Sequence, residues 1–314
     1  MPRPIMLGIV GDSGSGKTTI TRGIVRVLGE DKVSAFCTDD YHRYDRKQRA
    51  DRNITPLHPD CNYVDIMCQH LRHLQSGDQF LKPVYQHTDG TFGPLALVEP
   101  NRFAVVEGLL GYYTEDLRCL YDVRVYLAPP EELRRKWKVQ RDCSRRGYTT
   151  DQVLSELDRR EPDSEAFIRP QQRHADIVVS FLPNSRDDQD HLDAELILRS
   201  SLQHPDLSSV IDGTSGRDGI KLDEHENEVH LFIPGNLEAA RGAEIEAAIW
   251  DNLHFASHLR TERLGEFTSG TDLKRSECLA VIQMLVLYHL FTATASVALG
   301  GSGTRVPAVE QVTT

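Results

Sequence analysis

The chain has 314 residues, 39% of them apolar, and a formal net charge of −11, enough for a sizeable core and one or two domains. The acidic balance argues against nucleic acid or an anionic membrane as the main partner, so any anion must be held by a local basic site. No run of about 18 apolar residues stands out and the N-terminus enters a strand at once, so neither a membrane span nor a signal segment is expected, and the location reads as cytoplasmic.

In chain order, the first element is an apolar run, "IMLGIV", that breaks into "GDSGSGKTT" and resumes as a helical pattern with Ile20, Ile24 and Leu28 on one side. Gly11-x-x-x-x-Gly16-Lys17-Thr18 is the phosphate-binding loop signature. Its glycines let backbone N–H groups turn inward around phosphate oxygens, and the helix start adds its positive dipole end. Gly11, Asp12, Ser13, Gly14, Ser15, Gly16, Lys17, Thr18 and Thr19 are therefore the candidate ATP site. Lys17 is suited to the phosphates and the Thr18 hydroxyl to Mg²⁺.

Further strands read at 33–37, 103–106, 123–127 and 177–181, with helices at 64–74 and 131–143 between them. Short buried strands alternating with helices predict a three-layer α/β fold with a mostly parallel sheet. After the second strand comes "TDDYHRYDR". Ligands of such sheets bind at the carboxyl ends of strands, so Asp39 or Asp40 can accept a proton from an attacking hydroxyl. Neighbours in extended chain point opposite ways, so only one of them does so. His42, Arg43, Arg46, Arg49 and Arg52 follow, either a solvated basic face or a clamp for a substrate phosphate. "LKPVYQHTDG" offers Tyr85 and His87 to a hydroxylated substrate. "FAVVEG" ends in Glu107, a carboxylate placed to serve Mg²⁺. Arg134, Lys138, Arg141 and Arg145 step by four, three and four, sharing one face if the helix continues. With Gly147 as hinge and a polar helix behind, this basic hairpin reads as a lid.

Beyond residue 183, "AELILRS", "GIKLDE" and "EVHLFIPG" read as antiparallel strands, and 237–253 and 275–296 as helices, the second apolar nearly all round. The expected division is a kinase core (1–183), an α+β extension of its sheet (184–298), and a disordered tail (299–314). A separate second domain is the alternative. The six cysteines form no CxxC pair and no zinc spacing, so apart from Cys37 they read as reduced packing residues.

Taken jointly, "GDSGSGKTT", "TDDYHRYDR", "KPVYQHTDG", "VVEGLLG", "KWKVQRDCSRRGYT" and "REPDSEAFIRPQQRHADIVVSFLP" resemble the phosphoribulokinases, nearer the plant and cyanobacterial type, with uridine kinases as more distant relatives. The resemblance implies a P-loop kinase fold and transfer of the ATP γ-phosphoryl group to O1 of D-ribulose 5-phosphate, with Mg²⁺. It further implies a homo-oligomer, a dimer by preference, with no nucleic-acid or membrane partner. It makes Asp39 the general base, Lys17 a catalytic phosphate contact, Thr18 and Glu107 the metal-associated pair, and His42, Arg46, Arg49, Tyr85, His87, Lys138, Arg141 and Arg146 the acceptor site. Plant-type members carry cysteines at the positions of Ser15 and Cys37, which can join in a disulfide that blocks the ATP site. A hydroxyl cannot form that bond. With one C-terminal cysteine, Cys278, their C-terminal pair is excluded too. A kinase for another pentose phosphate or a nucleoside, and a non-catalytic ATP-binding regulator, are the competing readings.

Overall fold

The computed structural model describes residues 3–184, 188, 190–211, 219–250, 259, 261–269 and 272–304, without the side chain of Arg145. β1 (Ile5–Gly11) is buried throughout and runs through the glycine turn into α1 (Lys17–Leu28). β2 (Val33–Cys37), the short α2 (Arg46–Asp51) and α3 (Val64–Ser76) follow. Four very short strands come next: β3 (Phe80–Lys82), β4 (Tyr85–Gln86), β5 (Thr91–Phe92) and β6 (Ala96–Val98). β3 pairs with β6 and β4 with β5, so one hairpin is nested in the other. Then come β7 (Phe103–Gly108), α4 (Glu115–Arg118), β8 (Val123–Leu127), α5 (Glu131–Arg146), α6 (Thr150–Asp163) and β9 (Ile177–Leu182). The C-terminal part supplies β10 (Asp193–Arg199), β11 (Lys221–Glu224), β12 (Glu228–Ile233), α7 (Ala239–Trp250), a hairpin of β13 (Glu266–Ser269) and β14 (Asp272–Arg275), and α8 (Glu277–Ala298).

Eight strands form one sheet in the order β11-β12-β10-β9-β8-β1-β7-β2. From β9 to β2 all neighbours are parallel, whereas β10, β12 and β11 attach antiparallel. The C-terminal strands thus extend the first sheet, and the three-layer P-loop kinase architecture read from the sequence is what forms. The side-chain period of two sorts β1 between the faces. Ile5, Leu7 and Ile9 pack with α1 and α8, while Met6 and Val10 pack with α3. Gly8 stands on the second face because a Cβ there would fall 2.7 Å from the Tyr112 ring. Tyr112 in turn donates its hydroxyl to Gly8 O at 2.6 Å.

Three expectations need correction. Helix α5 does not stop at 143 but runs to Arg146, where Gly147 takes φ +72 as its cap. That left-handed position suits glycine. Thr149 then starts α6 with a capping box, its backbone and side chain exchanging hydrogen bonds with Gln152. Secondly, α8 is by length and composition apolar enough to span a membrane, although no such run was expected. Its residues from Cys278 to Leu287 are all buried, which is the placement of a core helix. Thirdly, residues 299–304 are not a loose tail. Ser296 Oγ donates to Gly303 O at 2.9 Å and Arg3 Nη2 to Ser302 O at 2.8 Å. The rest of the expected tail, 305–314, lies outside the described residues, as does the end of the 237–253 helix from 251.

Candidate active site

The carboxyl ends of β1, β7 and β2 lie side by side, and each delivers one functional group. At the end of β1, Gly14 (φ +88) and Gly16 (φ +95) turn the loop in a conformation that L side chains rarely adopt. Lys17 Nζ crosses the loop and donates to Gly11 O and Asp12 O, both at 2.8 Å. An ammonium has three donors, so one remains for a phosphate oxygen. Burial lowers the Lys17 pKa, against the pull of Asp39 and Glu107. Asp12 does not face the loop mouth. Its buried carboxylate accepts from Ser13 N (2.6 Å) and from Ser164 Oγ, and Arg134 Nη1 lies 3.5 Å away. Its side chain braces the loop rather than meeting phosphate. Ser15 Oγ is buried with no hydrogen-bond partner. Thr19 is exposed on the first turn of α1.

At the end of β7, Glu107 Oε1 accepts from Thr18 Oγ1 at 3.1 Å and Oε2 from Thr21 Oγ1 at 2.9 Å. Thr18 and Glu107 thus set two oxygens close enough together to serve one cation. Among the described residues no cluster of three or more His, Cys, Asp or Glu could hold a metal by itself.

At the end of β2 the structure separates the two aspartates. Asp40 is consumed by the fold: Lys82 Nζ donates to its Oδ2 and Tyr85 N to its Oδ1 at 2.8 Å. Among the described residues the Asp39 carboxylate has one ion pair, to His87 Nε2 at 3.8 Å. Burial opposes its ionisation, yet the carboxyl is held below the usual range by His42 and His87 when they are protonated, and by Lys17 and Arg141. Asp39 is therefore a carboxylate at neutral pH and free to accept a proton.

Around Asp39 the predicted acceptor residues do assemble, from four parts of the chain. Arg46 Nη2 donates to His87 O at 2.7 Å. The buried Arg49 donates to Tyr44 O at 2.7 Å and to Tyr85 Oη at 2.5 Å, and lies over the Tyr85 ring. His42 and His87 both meet that ring edge-on. From α5, Arg141 and Arg146 act on Asp39 electrostatically. The helix packs on the phosphate loop: a Cβ on Gly14 would sit 3.0 Å from Lys138 Cβ, and Arg134 Nη1 donates to Ser13 O at 2.8 Å.

Two residues that the sequence did not single out organise this half. Asp142 accepts from Lys138 Nζ and Arg141 Nε, both at 2.8 Å, and lies 3.5 Å from Arg146 Nη1. Its positions four residues from Lys138 and from Arg146 were the available signal. Hydrogen bonds from these cations outweigh burial and bring its pKa down to about 2. Asn62 bonds His42, and nothing in the local pattern marks it. All six cysteines are free thiols. Burial, together with Asp39 and Glu107, pushes the Cys37 thiol up and keeps it protonated.

Residues 6–186 match the Phosphoribulokinase / Uridine kinase family. The phosphoribulokinase of Synechocystis sp. is 40% identical over 183 residues, which are 58% of this chain and 55% of that one. The chloroplastic phosphoribulokinase of Arabidopsis thaliana is 34% identical over 198 residues, 58% of this chain and 50% of that one. The uridine kinase of Chlamydia pneumoniae is 31% identical over 182 residues, 56% of this chain and 81% of that one. The chain spans about half the length of the curated phosphoribulokinases it matches. Among solved structures, phosphoribulokinase from Rhodobacter spheroides superposes with a TM-score of 0.58 at 20% identity, covering 80% of this chain and 97% of that one.

Proposed function

The chain belongs to the phosphoribulokinase/uridine kinase family, and we propose that it is a phosphotransferase that moves the γ-phosphoryl group of ATP to O1 of D-ribulose 5-phosphate. One observation carries the choice of a phosphorylated acceptor: Arg46 and Arg49, held against His87 and Tyr85, lie on the Asp39 side of the site opposite Arg141 and Arg146, which are shared between Asp39 and Asp142. Arg46 and Arg49 form no ion pair among the described residues, their donors going to neutral oxygens. A nucleoside has no anionic group to use such a set, whereas a sugar phosphate dianion does.

In this reading Asp39 accepts the acceptor's hydroxyl proton as that oxygen bonds the γ-phosphorus and the bridging oxygen leaves with ADP. A positioned base of this kind contributes roughly 10²–10⁴-fold. Lys17, the loop N–H groups and the start of α1 balance charge on the phosphates. Thr18 and Glu107 would hold Mg²⁺, which supplies charge neutralisation at the phosphates. Arg134, packed between α5 and the loop, ties the basic helix to the cradle, and α5 keeps water away. The reading carries with it a cytoplasmic location and a homo-oligomer. Phosphorylation of ribulose 5-phosphate, ribose 5-phosphate, xylulose 5-phosphate and uridine, each with ATP and Mg²⁺, tests it. Ribulose 5-phosphate is expected to give the highest kcat/KM. Preference for uridine would overturn the reading.

A further inference from the structure

His42 is almost fully buried beside Asp39, with its ring against Tyr85. Its Nδ1 lies 2.7 Å from Oδ1 of Asn62, itself buried. The orientation of the Asn62 amide is not arbitrary. Its Nδ2 donates to Pro56 O at 3.1 Å and to His58 O at 2.9 Å. Both partners are carbonyl oxygens, which only accept. A flipped amide would set Oδ1 against two acceptors and leave its NH₂ aimed at the ring. So the oxygen faces His42, and because that oxygen only accepts, Nδ1 must carry a hydrogen. The backbone holds the pair in this register. His42 and Asn62 form an antiparallel bridge, with Arg43 N donating to Cys61 O at 2.7 Å and Tyr63 N to Tyr41 O at 2.8 Å. Arg43 Nε also donates to Asn62 O at 3.0 Å.

We propose that Asn62 is a positioning residue that fixes His42 as the Nδ1–H tautomer, so that Nε2 presents a lone pair to the acceptor substrate. Nε2 makes no hydrogen bond to any described residue. Burial favours the neutral ring, and Arg49 and His87 add to that against the pull of Asp39. A lone pair can meet only a donor. His42 therefore reads a hydroxyl of the sugar chain, while the phosphate, which has only acceptors when ionised, is left to the arginines. The assignment of a hydroxyl rests on the phosphorylated-sugar reading, but the tautomer does not.

The test separates the two. Long-range ¹H–¹⁵N spectra of histidine-labelled protein at pH 7.5 are expected to show His42 with a protonated Nδ1 and a bare Nε2, the signal being the one lost in His42→Gln. A protonated Nε2 or an imidazolium at that pH overturns the proposal, whatever substrate the enzyme takes. Asn62→Leu removes the anchor, and its spectrum should show a mixture of tautomers. In that variant the KM for ribulose 5-phosphate should rise about tenfold, the scale of one lost hydrogen bond of about 1.4 kcal/mol, with the KM for ATP unchanged. Where the leucine variant does not fold, the spectrum of the native protein alone decides the tautomer. Discrimination between ribulose 5-phosphate and its 3-deoxy and 4-deoxy analogues should fall in Asn62→Leu. A native enzyme that does not discriminate against either analogue overturns the hydroxyl assignment and leaves the tautomer to the spectrum.

Discussion

Eight consecutive residues, Gly11 to Thr18, supply the phosphate cradle, and its main recruit from elsewhere is Glu107 at the end of the neighbouring strand. The acceptor half is put together from the turn after β2, Asn62, the nested hairpins and α5. The cradle works largely through backbone N–H groups, so its chemistry follows once the turn forms. The proposed acceptor half depends on side chains that must be aimed: Arg49 is held by Tyr85, His42 by Asn62 and Arg46 by the His87 backbone, all far off in sequence, while the α5 cations are held by Asp142 on their own helix. Two halves built so differently should respond differently to substitution.

The largest expected effect lies at their junction. Asp39→Asn removes the proton acceptor but no phosphate contact, so kcat should fall at least about 10²-fold while a titration with ATP gives an unaltered affinity. An active Asp39→Asn enzyme would take the base away from this carboxylate. Next in size is Asp142→Asn, which leaves buried Lys138 without its carboxylate. Steady-state kinetics should show kcat/KM for the sugar phosphate lowered by at least about tenfold, with a thermal melt showing a loss on the order of 1–3 kcal/mol. An unchanged acceptor KM would mean that the α5 cations need no organiser. Arg46→Ala and Arg146→Ala should each raise the acceptor KM by roughly tenfold, as for a charge-assisted hydrogen bond of at least about 1.4 kcal/mol, and should spare the KM for ATP. If ATP were the substrate weakened instead, the division into two halves would fail.

A smaller effect is expected with pH. Burial and the neighbouring Arg160 bring the Lys138 pKa down to about 8, despite Asp142. Lysine is charged below its pKa, so the cation is present at pH 7 and lost as pH rises through about 8. The acceptor KM should therefore climb a few-fold between pH 7 and 9, and Lys138→Arg should flatten that climb. Least of all, mild oxidation followed by dithiothreitol should leave activity unchanged, because Cys37 is a protonated thiol and Ser15 offers it no sulfur.

The same contrast decided what could be read from the sequence. The cradle was legible because spacing alone defines it, and Glu107 because an apolar strand ends on it. Asp39 and Asp40 could be named as a pair from the local pattern, but only the family resemblance chose Asp39, since what distinguishes them physically is Lys82 and the Tyr85 backbone, more than 40 residues away. Strands of two and three residues such as β4 and β3 are too short to show a period, so the hairpins that carry Tyr85 and His87 went unseen. Asn62 looks like any loop asparagine until His42 is set against it. The membrane-like character of α8 was missed because His289 and Gln283 break its apolar run, and both turn out to be buried.

Gln283 also gives α8 a bearing on the order of events during synthesis. A Cβ on Gly23 of α1 would fall 2.0 Å from Gln283 Nε2, so the two helices meet with nothing between them at that point. Ile20, Ile24 and Val27 of α1 share one cluster with Val281, Leu285 and Leu287 of α8. The stretch that matches the family, 6–186, therefore leaves the ribosome with the rear of its phosphate-loop helix uncovered. Roughly another hundred residues, many seconds of elongation, must follow before that face is sealed. A nascent chain stalled near residue 190 should bind ATP poorly and recruit chaperones, even though every residue of the catalytic constellation has already been translated.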